Sequence, residues 1–288
     1  MSDEVRIGLR SFIPVILSLA LSWLLTMLSL GTRLSYPTPI ITPVQEPEPT
    51  APPSEALSSP APYLNVILIV GLITISGLIM LYLARRLKKF FRILVGILIW
   101  LIAFGVTVLY IINLSLAFDW TLLRLLIPLS ALVSSVITYL MLGRSGLASS
   151  ISAAYIASGA GATIGMSIPY WTFLILIVGI SAYDVLAVYK GHLSTLTKEE
   201  AISLKGLTVE LDSLVIGLGD LFFYSLSASA ILWHMGVTSA LAATASILVG
   251  YAVTLLLLKR KKILPGLPLP LLLGLSSALL VKLLTSLA

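Results

Sequence analysis

Long apolar runs occupy most of this sequence, and they restrict the folds open to it. A helix needs about 20 apolar residues to cross the hydrocarbon core of a bilayer, and the sequence contains nine runs of roughly that length. Only 10% of the residues are charged and 58% are hydrophobic, whereas a soluble domain carries about 25% charged residues. The sequence therefore predicts an all-α polytopic membrane protein with nine transmembrane helices. The predicted spans are 7–30, 63–84, 93–116, 120–142, 147–168, 170–189, 214–235, 237–258 and 267–287.

The segments between the spans are short, so we predict a single integral membrane domain over 1–288. Its first six helices cover about 7–189 and its last three about 214–287. The proline-rich segment 32–62 is expected to be an extended, extracytosolic linker rather than a helix or a core strand. The polar segment 190–213 is expected to be a cytosolic loop. In the fifth span, the pattern Gly161-x-x-x-Gly165 favours close packing against another helix.

The basic residues are distributed unevenly between the segments that join the spans. Lys and Arg accumulate in the cytosolic loops of membrane proteins. If the N-terminus is cytosolic, the cytosolic segments hold fifteen of the eighteen basic residues, and an odd number of spans places the C-terminus outside. We therefore predict a cytosolic N-terminus and an extracytosolic C-terminus. The fifteen residues are Arg6, Arg10, Arg85, Arg86, Lys88, Lys89, Arg92, Arg144, Lys190, Lys198, Lys205, Lys259, Arg260, Lys261 and Lys262.

The sequence offers few side chains that could hold a metal or a cofactor. It has no cysteine and two histidines, so it cannot form a disulfide framework or a zinc site made of His and Cys alone. We therefore expect neither a metal nor a cofactor. The formal net charge is +6. Because the basic residues lie between apolar runs, we attribute this charge to topology and to anionic headgroups of the lipid bilayer, not to nucleic acid.

Two of the twelve acidic residues fall inside predicted spans and away from their ends, Asp184 in the sixth and Asp220 in the seventh. An Asp at the centre of a span costs about 2.5 kcal/mol or more, so each is a functional hypothesis. Asp184 precedes Lys190 by six residues and Asp220 follows Asp212 by eight. On helices these separations correspond to depths of about 9 and 12 Å. If the two helices are neighbours, the carboxylates can face each other.

Two carboxylates that lie close together in a medium of low dielectric constant share one proton. The ionised partner can activate a water molecule as general base, and the protonated partner can polarise a peptide carbonyl as general acid. The titration belongs to the pair, so neither role is assigned to one residue. From the residues alone three explanations stay open: aspartyl protease catalysis, a proton relay or ion site in a transporter, and structural hydrogen bonding.

Four residues near the aspartates are candidates for supporting the site. Gly217 precedes Asp220 by three residues, which on a helix would place both on one face, and Gly219 is adjacent. Glycines in these positions could let another backbone approach, or they could serve ordinary helix packing. The hydroxyl groups of Tyr183 and Tyr224 could hydrogen-bond a carboxylate, or these side chains could be buried or interfacial aromatics.

A proline-rich element, Pro265-Gly266-Leu267-Pro268, precedes the last predicted span. Proline disfavours a helix for itself and for the residue before it. We expect this element to stay extended on the cytosolic side, with Leu267 near the aspartates. An unwound substrate could then pair with it as an added strand. The alternative is a proline cluster that does no more than start the ninth helix.

Three ordered motifs resemble those of the presenilin and signal peptide peptidase family of intramembrane aspartyl proteases. The family's Tyr-Asp in helix six matches Tyr183-Asp184. Its Gly-x-Gly-Asp in helix seven matches Gly217-Leu218-Gly219-Asp220, and the agreement continues through Ser225. Its Pro-Ala-Leu before helix nine is similar to Pro265-Gly266-Leu267, where Gly266 replaces the usual Ala. The resemblance covers residues 170–273, and the earlier spans agree only as a pattern.

The resemblance implies an intramembrane aspartic endopeptidase that hydrolyses peptide bonds of single-span transmembrane substrates, with Asp184 and Asp220 as the catalytic pair. The predicted orientation matches that of presenilin, whereas signal peptide peptidases are inverted. The loop 190–213 is too short for the self-cleavage segment of animal presenilins.

In this respect the chain resembles simpler microbial, archaeal-like presenilin homologues, and we expect activity without obligatory subunits, whether or not copies of the chain associate. We expect a multi-pass protein of the cell membrane. The alternative function is a proton-coupled transporter or ion leak channel that uses the same two aspartates.

Overall fold

The structure of the protein is a computed structural model that describes residues 8–33, 42–118, 121–143, 146–190, 208–211, 214–259 and 264–287. The chain forms two compact units. The first comprises the described parts of Met1–Ser35, Leu83–Ala162 and Leu196–Leu226. The second comprises the described parts of Tyr36–Tyr82, Thr163–Thr195 and Ser227–Ala288.

Helices make up nearly all of the regular structure, which confirms the predicted all-α class. Nine helices among the described residues have 18 residues or more, and eight helices are long and apolar enough to cross a membrane. The protein is therefore a multi-pass integral membrane protein. The ninth long helix carries Asp220 and His234 and is not among those eight, so nine crossings and the direction of the termini stay predictions. The helices are α1 (Ile13–Thr32), α2 (Pro53–Ser58), α3 (Ala61–Arg86), α4 (Lys88–Phe118), α5 (Leu126–Gly143), α6 (Leu147–Ser167), α7 (Tyr170–Lys190), α8 (Leu218–Met235), α9 (Val237–Leu258) and α10 (Pro268–Leu287).

The seventh predicted span, 214–235, is wrong at its beginning. Leu214–Gly217 form a strand, β2, which pairs antiparallel with a strand β1 at Thr208–Leu211. Helix α8 therefore starts at Leu218. Residues 208–211 of the predicted loop 190–213 thus belong to a two-stranded sheet, while its residues 191–207, 212 and 213 lie outside the described part of the chain.

Prolines and one glycine set several helix boundaries. Helix α7 starts directly after Pro169, and α10 starts at Pro268. The fixed φ of proline and its missing N–H group suit the first position of a helix. Gly236 separates α8 from α9 with a φ of 85°, in the left-handed region that other side chains rarely adopt.

In the first unit, a glycine lets α6 lie directly against the beginning of α8. A β-carbon at Gly161 would lie 2.6 Å from the carbonyl oxygen of Phe222 and 2.9 Å from the backbone nitrogen of Leu226. A larger residue would therefore force the helices apart. This contact confirms the predicted packing role of Gly161, and it fixes the helix that carries Asp220.

In the second unit, α9 and α10 also approach at backbone distance. A β-carbon at Gly250 would lie 2.6 Å from the Cα atom of Pro270, and one at Gly274 would lie 2.7 Å from the side chain of Ile247. These contacts hold the first turn of α10 against α9. The short segment 264–267, which precedes that turn, therefore has a defined position within this unit.

The linker 32–62 is not the extended segment that the sequence predicts. Residues 42–62 of the linker contain the short helix α2, and Ala56 of this helix is fully buried against Tyr170 and Trp171. The indole N–H of Trp171 donates to the carbonyl oxygen of Glu48 at 3.0 Å. The linker is thus packed onto the N-terminus of α7, because the apolar face of α2 finds partners there.

Glu46 of the linker caps helix α7 from a distant part of the sequence. Its carboxylate accepts hydrogen bonds from the backbone N–H groups of Trp171 and Thr172, both at 2.8 Å, and from the Thr172 hydroxyl at 2.7 Å. The first N–H groups of a helix have no acceptor within the helix. Pro169, which precedes α7, has no side-chain acceptor, so the carboxylate of Glu46 satisfies these donors and complements the helix dipole.

We expect Glu46→Ala to lower the thermal stability of the purified protein. The substitution leaves two backbone donors and one hydroxyl without their acceptor, which costs about 1–3 kcal/mol. The matched control is Glu48→Ala, because the Glu48 side chain is exposed and accepts a hydrogen bond from the exposed Thr50 hydroxyl, while the backbone carbonyl that binds Trp171 remains. The control should change stability by no more than about 0.5 kcal/mol. Equal melting temperatures for the two variants would contradict the capping role.

Candidate active site

Asp184 is held by the non-helical segment that precedes α10. It lies on α7 six residues before the end of that helix and is only partly exposed. The backbone N–H of Leu267 donates to its Oδ2 atom at 3.0 Å, and the backbone of Gly266 makes a second hydrogen bond with the carboxylate. Two of the predicted site elements, Asp184 and 265–268, therefore meet in the second unit.

The position of Leu267 at the start of α10 explains why its N–H is available. Its carbonyl oxygen accepts the first helical hydrogen bond, from the N–H of Leu271 at 3.1 Å, so Leu267 is the N-cap residue. The helix does not use the N–H of its own N-cap residue, and Pro268 has none to offer. Leu267 is buried, with 5% of its surface exposed. Asp184 thus supplies the acceptor that this buried donor needs, at the positive end of a helix dipole.

Asp220 occupies a different kind of position from the one predicted. It is the third residue of α8, in the first helical turn, and β2 ends directly before that helix. The calculated depth of about 12 Å is wrong because it treats residues 214–217 as helical, whereas extended residues rise about 3.3 Å each and helical ones 1.5 Å. A carboxylate in the first turn is favoured by the helix dipole.

The two glycines of the Gly-x-Gly-Asp motif have different surroundings. Gly217 ends β2, so the prediction that it shares a helix face with Asp220 is wrong. It is nevertheless close: a β-carbon there would lie 3.5 Å from Oδ2 of Asp220. Gly219 is exposed, and among the described residues a β-carbon there would meet no atom within 4 Å. The first glycine therefore keeps one side of the carboxylate clear, whereas the second has open space beside it in the described part of the chain.

The two tyrosines differ in burial. Tyr224 lies one turn after Asp220 on α8 and is 1% exposed, which agrees with the buried-aromatic alternative. Tyr183 precedes Asp184 and is partly exposed. Direct support of a carboxylate by either hydroxyl stays a prediction.

Asp184 belongs to the second unit and Asp220 to the first. Within the part of the chain that the structure describes, no group of three or more His, Cys, Asp or Glu side chains could hold a metal ion.

Sequence reasoning missed the strand pair in front of Asp220, although a signal was present. Residues 208–211 read Thr-Val-Glu-Leu and residues 214–217 read Leu-Val-Ile-Gly, separated by Asp212 and Ser213. Two short runs rich in β-branched residues, joined by two turn-forming residues, are typical of a β-hairpin. The apolar run that continues through α8 concealed this signal, because 214–235 has the length of a membrane span.

The fold is similar to that of solved intramembrane proteases. Two structures of a presenilin family intramembrane aspartate protease, in space groups P2 and C222, match with TM-scores of 0.66 and 0.61 and sequence identities of 21% and 20%. The first match covers 97% of this chain and 98% of the other, and the second covers 96% and 97%. No family model and no curated protein matches the sequence. The chain thus has the fold of presenilin family intramembrane aspartate proteases over nearly its whole length.

Proposed function

We propose that this protein is an intramembrane aspartic endopeptidase in which Asp184 and Asp220 act as one catalytic pair. The observation that carries the proposal is the hydrogen bond from the Leu267 N–H to Asp184. It joins two motifs that the sequence selects independently, and it does so within a presenilin-type fold. Asp220 adds a second carboxylate at a helix N-terminus, directly after an extended strand.

The reaction of such a pair needs one proton shared between two carboxyl groups. The ionised carboxylate takes a proton from water while the neutral carboxyl group donates its proton to the carbonyl oxygen of the scissile peptide. The water oxygen bonds to the carbonyl carbon and gives a neutral gem-diol. The C–N bond then breaks as the nitrogen gains a proton from the pair, and a gem-diol hydroxyl returns one to it. The pair ends in its starting state, with an acid and an amine as products.

The substrates we propose are single-span transmembrane segments, which must unwind before they are cut. A transmembrane helix hides its peptide bonds in its own hydrogen-bond ladder. Each backbone group that unwinding leaves bare in a dry site costs about 1–3 kcal/mol. An edge of extended backbone beside the carboxylates would offer new partners, in the manner of an added strand.

Strand β2 supports this role better than the sequence alone indicates. Within the described residues the sheet has two strands, so β2 has one edge without a neighbouring strand. Two residues separate Leu211 from Leu214 in the sequence, and in a hairpin of that length the closing pair is hydrogen-bonded. Hydrogen-bonded pairs alternate with non-bonded ones along an antiparallel ladder. The N–H of Val215 therefore points to the open edge, where it could receive a substrate carbonyl.

The segment 265–268, our other candidate for pairing with the substrate, has fewer donors to offer. The N–H of Leu267 and the backbone of Gly266 already bind Asp184, and Pro265 and Pro268 have no N–H. We propose that this segment positions Asp184 and contributes carbonyl acceptors at most. Pairing of the substrate with 265–268 stays a prediction. Variants of Val215 and of Pro265 and Pro268 can distinguish it from pairing with β2.

We also propose a cytosolic N-terminus, a location in the cell membrane and activity without obligatory subunits. The uneven distribution of basic residues supports the orientation, because such residues favour the cytosolic side. The alternative function, a proton-coupled transporter or ion leak channel, would use the two aspartates without needing the contact between Leu267 and Asp184.

Asp184→Asn and Asp220→Asn should each abolish cleavage of a single-span reporter by the purified protein in vesicles. Loss of the acid–base pair lowers the rate by about 10²–10⁴-fold. Both variants should stay folded, because a neutral amide costs less in the membrane than a carboxylate. Ion flux measured in the same vesicles provides the contrast. Wild-type protein that conducts ions but leaves the reporter intact would favour the transporter alternative, and cleavage by both single variants would end the aspartyl hypothesis.

Gly217→Ala should impair cleavage more than Gly219→Ala. The added methyl group at position 217 lies against the Asp220 carboxylate and displaces water or substrate from it, whereas the one at 219 enters open space. We expect kcat to fall roughly tenfold for Gly217→Ala, about 1.4 kcal/mol in activation free energy, with little change for Gly219→Ala. The opposite order of the two rates would show that the close approach of Gly217 to Asp220 has no role.

Val215→Pro should reduce cleavage sharply while Val215→Ala does not. Proline removes the N–H that points to the open edge of β2, and alanine keeps it; the side chain itself is 61% exposed, so its truncation costs little. Equal rates for the two variants would exclude pairing at this edge.

The double variant Pro265→Ala/Pro268→Ala tests the other segment, since α10 could then extend toward Asp184. A wild-type cleavage rate for that variant would show that a non-helical 265–268 segment is not required.

A further inference from the structure

A groove at the junction of α3 and α4 gathers positive charge in a small space. It has a volume of about 520 Å³ and is lined by six consecutive residues, Arg85–Phe90. Four of the six carry a positive charge, and all six are exposed. The next residue, Phe91, is 2% exposed, so its ring is packed inside the protein directly beside the groove.

Acidic residues are absent from the stretch of sequence that surrounds this cluster. Residues 56–118 include five basic residues and no Asp or Glu. Lys88 and Lys89 open α4, at the positive end of the helix dipole, and the first turn of that helix has no acidic residue. Lysines in such a position are unfavourable for the helix. An anion bound in the groove would relieve this repulsion and would also accept the first N–H groups of α4.

The groove also has an apolar part, which limits the kind of anion. Leu87 and Phe90 are 50% and 54% exposed within it. Both α3 and α4 are long and apolar enough to cross a membrane, and one residue connects them. The junction must therefore lie at a membrane surface, where phosphate groups lie directly above hydrocarbon. A free phosphate would use only the basic side chains and leave the two apolar ones unexplained.

We propose that this groove binds the phosphate of an anionic phospholipid headgroup. Arg86, Lys88 and Lys89 surround the phosphate, while Leu87 and Phe90 lie beside the glycerol backbone and the upper acyl chains. This site is separate from the proposed catalytic residues and does not depend on the proposed activity. A basic cluster that only sets the orientation of the helices acts through its net charge and has no preference among headgroups, whereas the proposed site selects an anionic one.

The test is a lipid titration of the full-length protein in detergent, followed by native mass spectrometry. Phosphatidylglycerol and phosphatidylcholine with identical acyl chains are the probes. We expect wild-type protein to bind one phosphatidylglycerol at least tenfold more tightly than phosphatidylcholine. The triple variant Arg86→Gln/Lys88→Gln/Lys89→Gln should lose that preference. The control Lys259→Gln/Arg260→Gln/Lys261→Gln removes the same charge from another basic cluster and should keep it.

Two further arms keep the proposal falsifiable if the triple variant is poorly folded. Lys88→Arg/Lys89→Arg retains the charge and should retain the tenfold preference. Inorganic phosphate, added to the wild-type complex at the same concentration as the lipid, should not displace the lipid. Equal affinities for the two lipids, an equal loss in both triple variants, loss of the preference in the Arg variant, or displacement by inorganic phosphate would each overturn the proposal.

Discussion

A carboxylate inside a membrane protein must find its hydrogen-bond partners within the protein, because hydrocarbon supplies none. An uninterrupted helix cannot provide them, since its backbone N–H groups already bond to its own carbonyl groups. Each aspartate therefore lies beside a place where regular helix is absent or has just begun. Asp184 faces the N-cap of α10 and receives the N–H of Leu267. Asp220 lies in the first turn of α8, directly after β2. The breaks in the helices thus create the sites in which charged groups are tolerated.

These helix breaks must be held in place by packing. Otherwise the neighbouring helix could lengthen through the strand or the N-cap segment, or the segment could change its position. Close approach at glycine provides that support. Gly161 brings α6 onto the backbone of α8 near Asp220, and Gly250 brings α9 onto the first turn of α10 near Leu267. At the other end of α7, Glu46 caps the helix that carries Asp184. A helix held at its N-terminus by the linker and beside its C-terminus by Leu267 has little freedom to slide.

Much of the fold was predictable because long apolar runs admit only one common structure in a membrane. Asp184, Asp220 and the 265–268 element were also predictable, since charge and proline are costly in such runs. The β-hairpin was not, because an apolar strand followed by an apolar helix has the composition of one long span. The role of Glu46 was not predictable either. It depends on a contact between residues 125 positions apart in the sequence, and local patterns carry no information about such contacts.

The proposed pairing of Asp184 with Asp220 can be tested directly by chemical cross-linking. The chain contains no cysteine, so the variant Asp184→Cys/Asp220→Cys has only two thiols. This variant is treated in vesicles with a short bifunctional thiol reagent, and its peptides are then analysed by mass spectrometry. We expect an intramolecular cross-link between the two positions in the double variant and none in either single variant. If both thiols react with a monofunctional reagent yet no cross-link forms, the two residues do not share a site and cannot act as one pair.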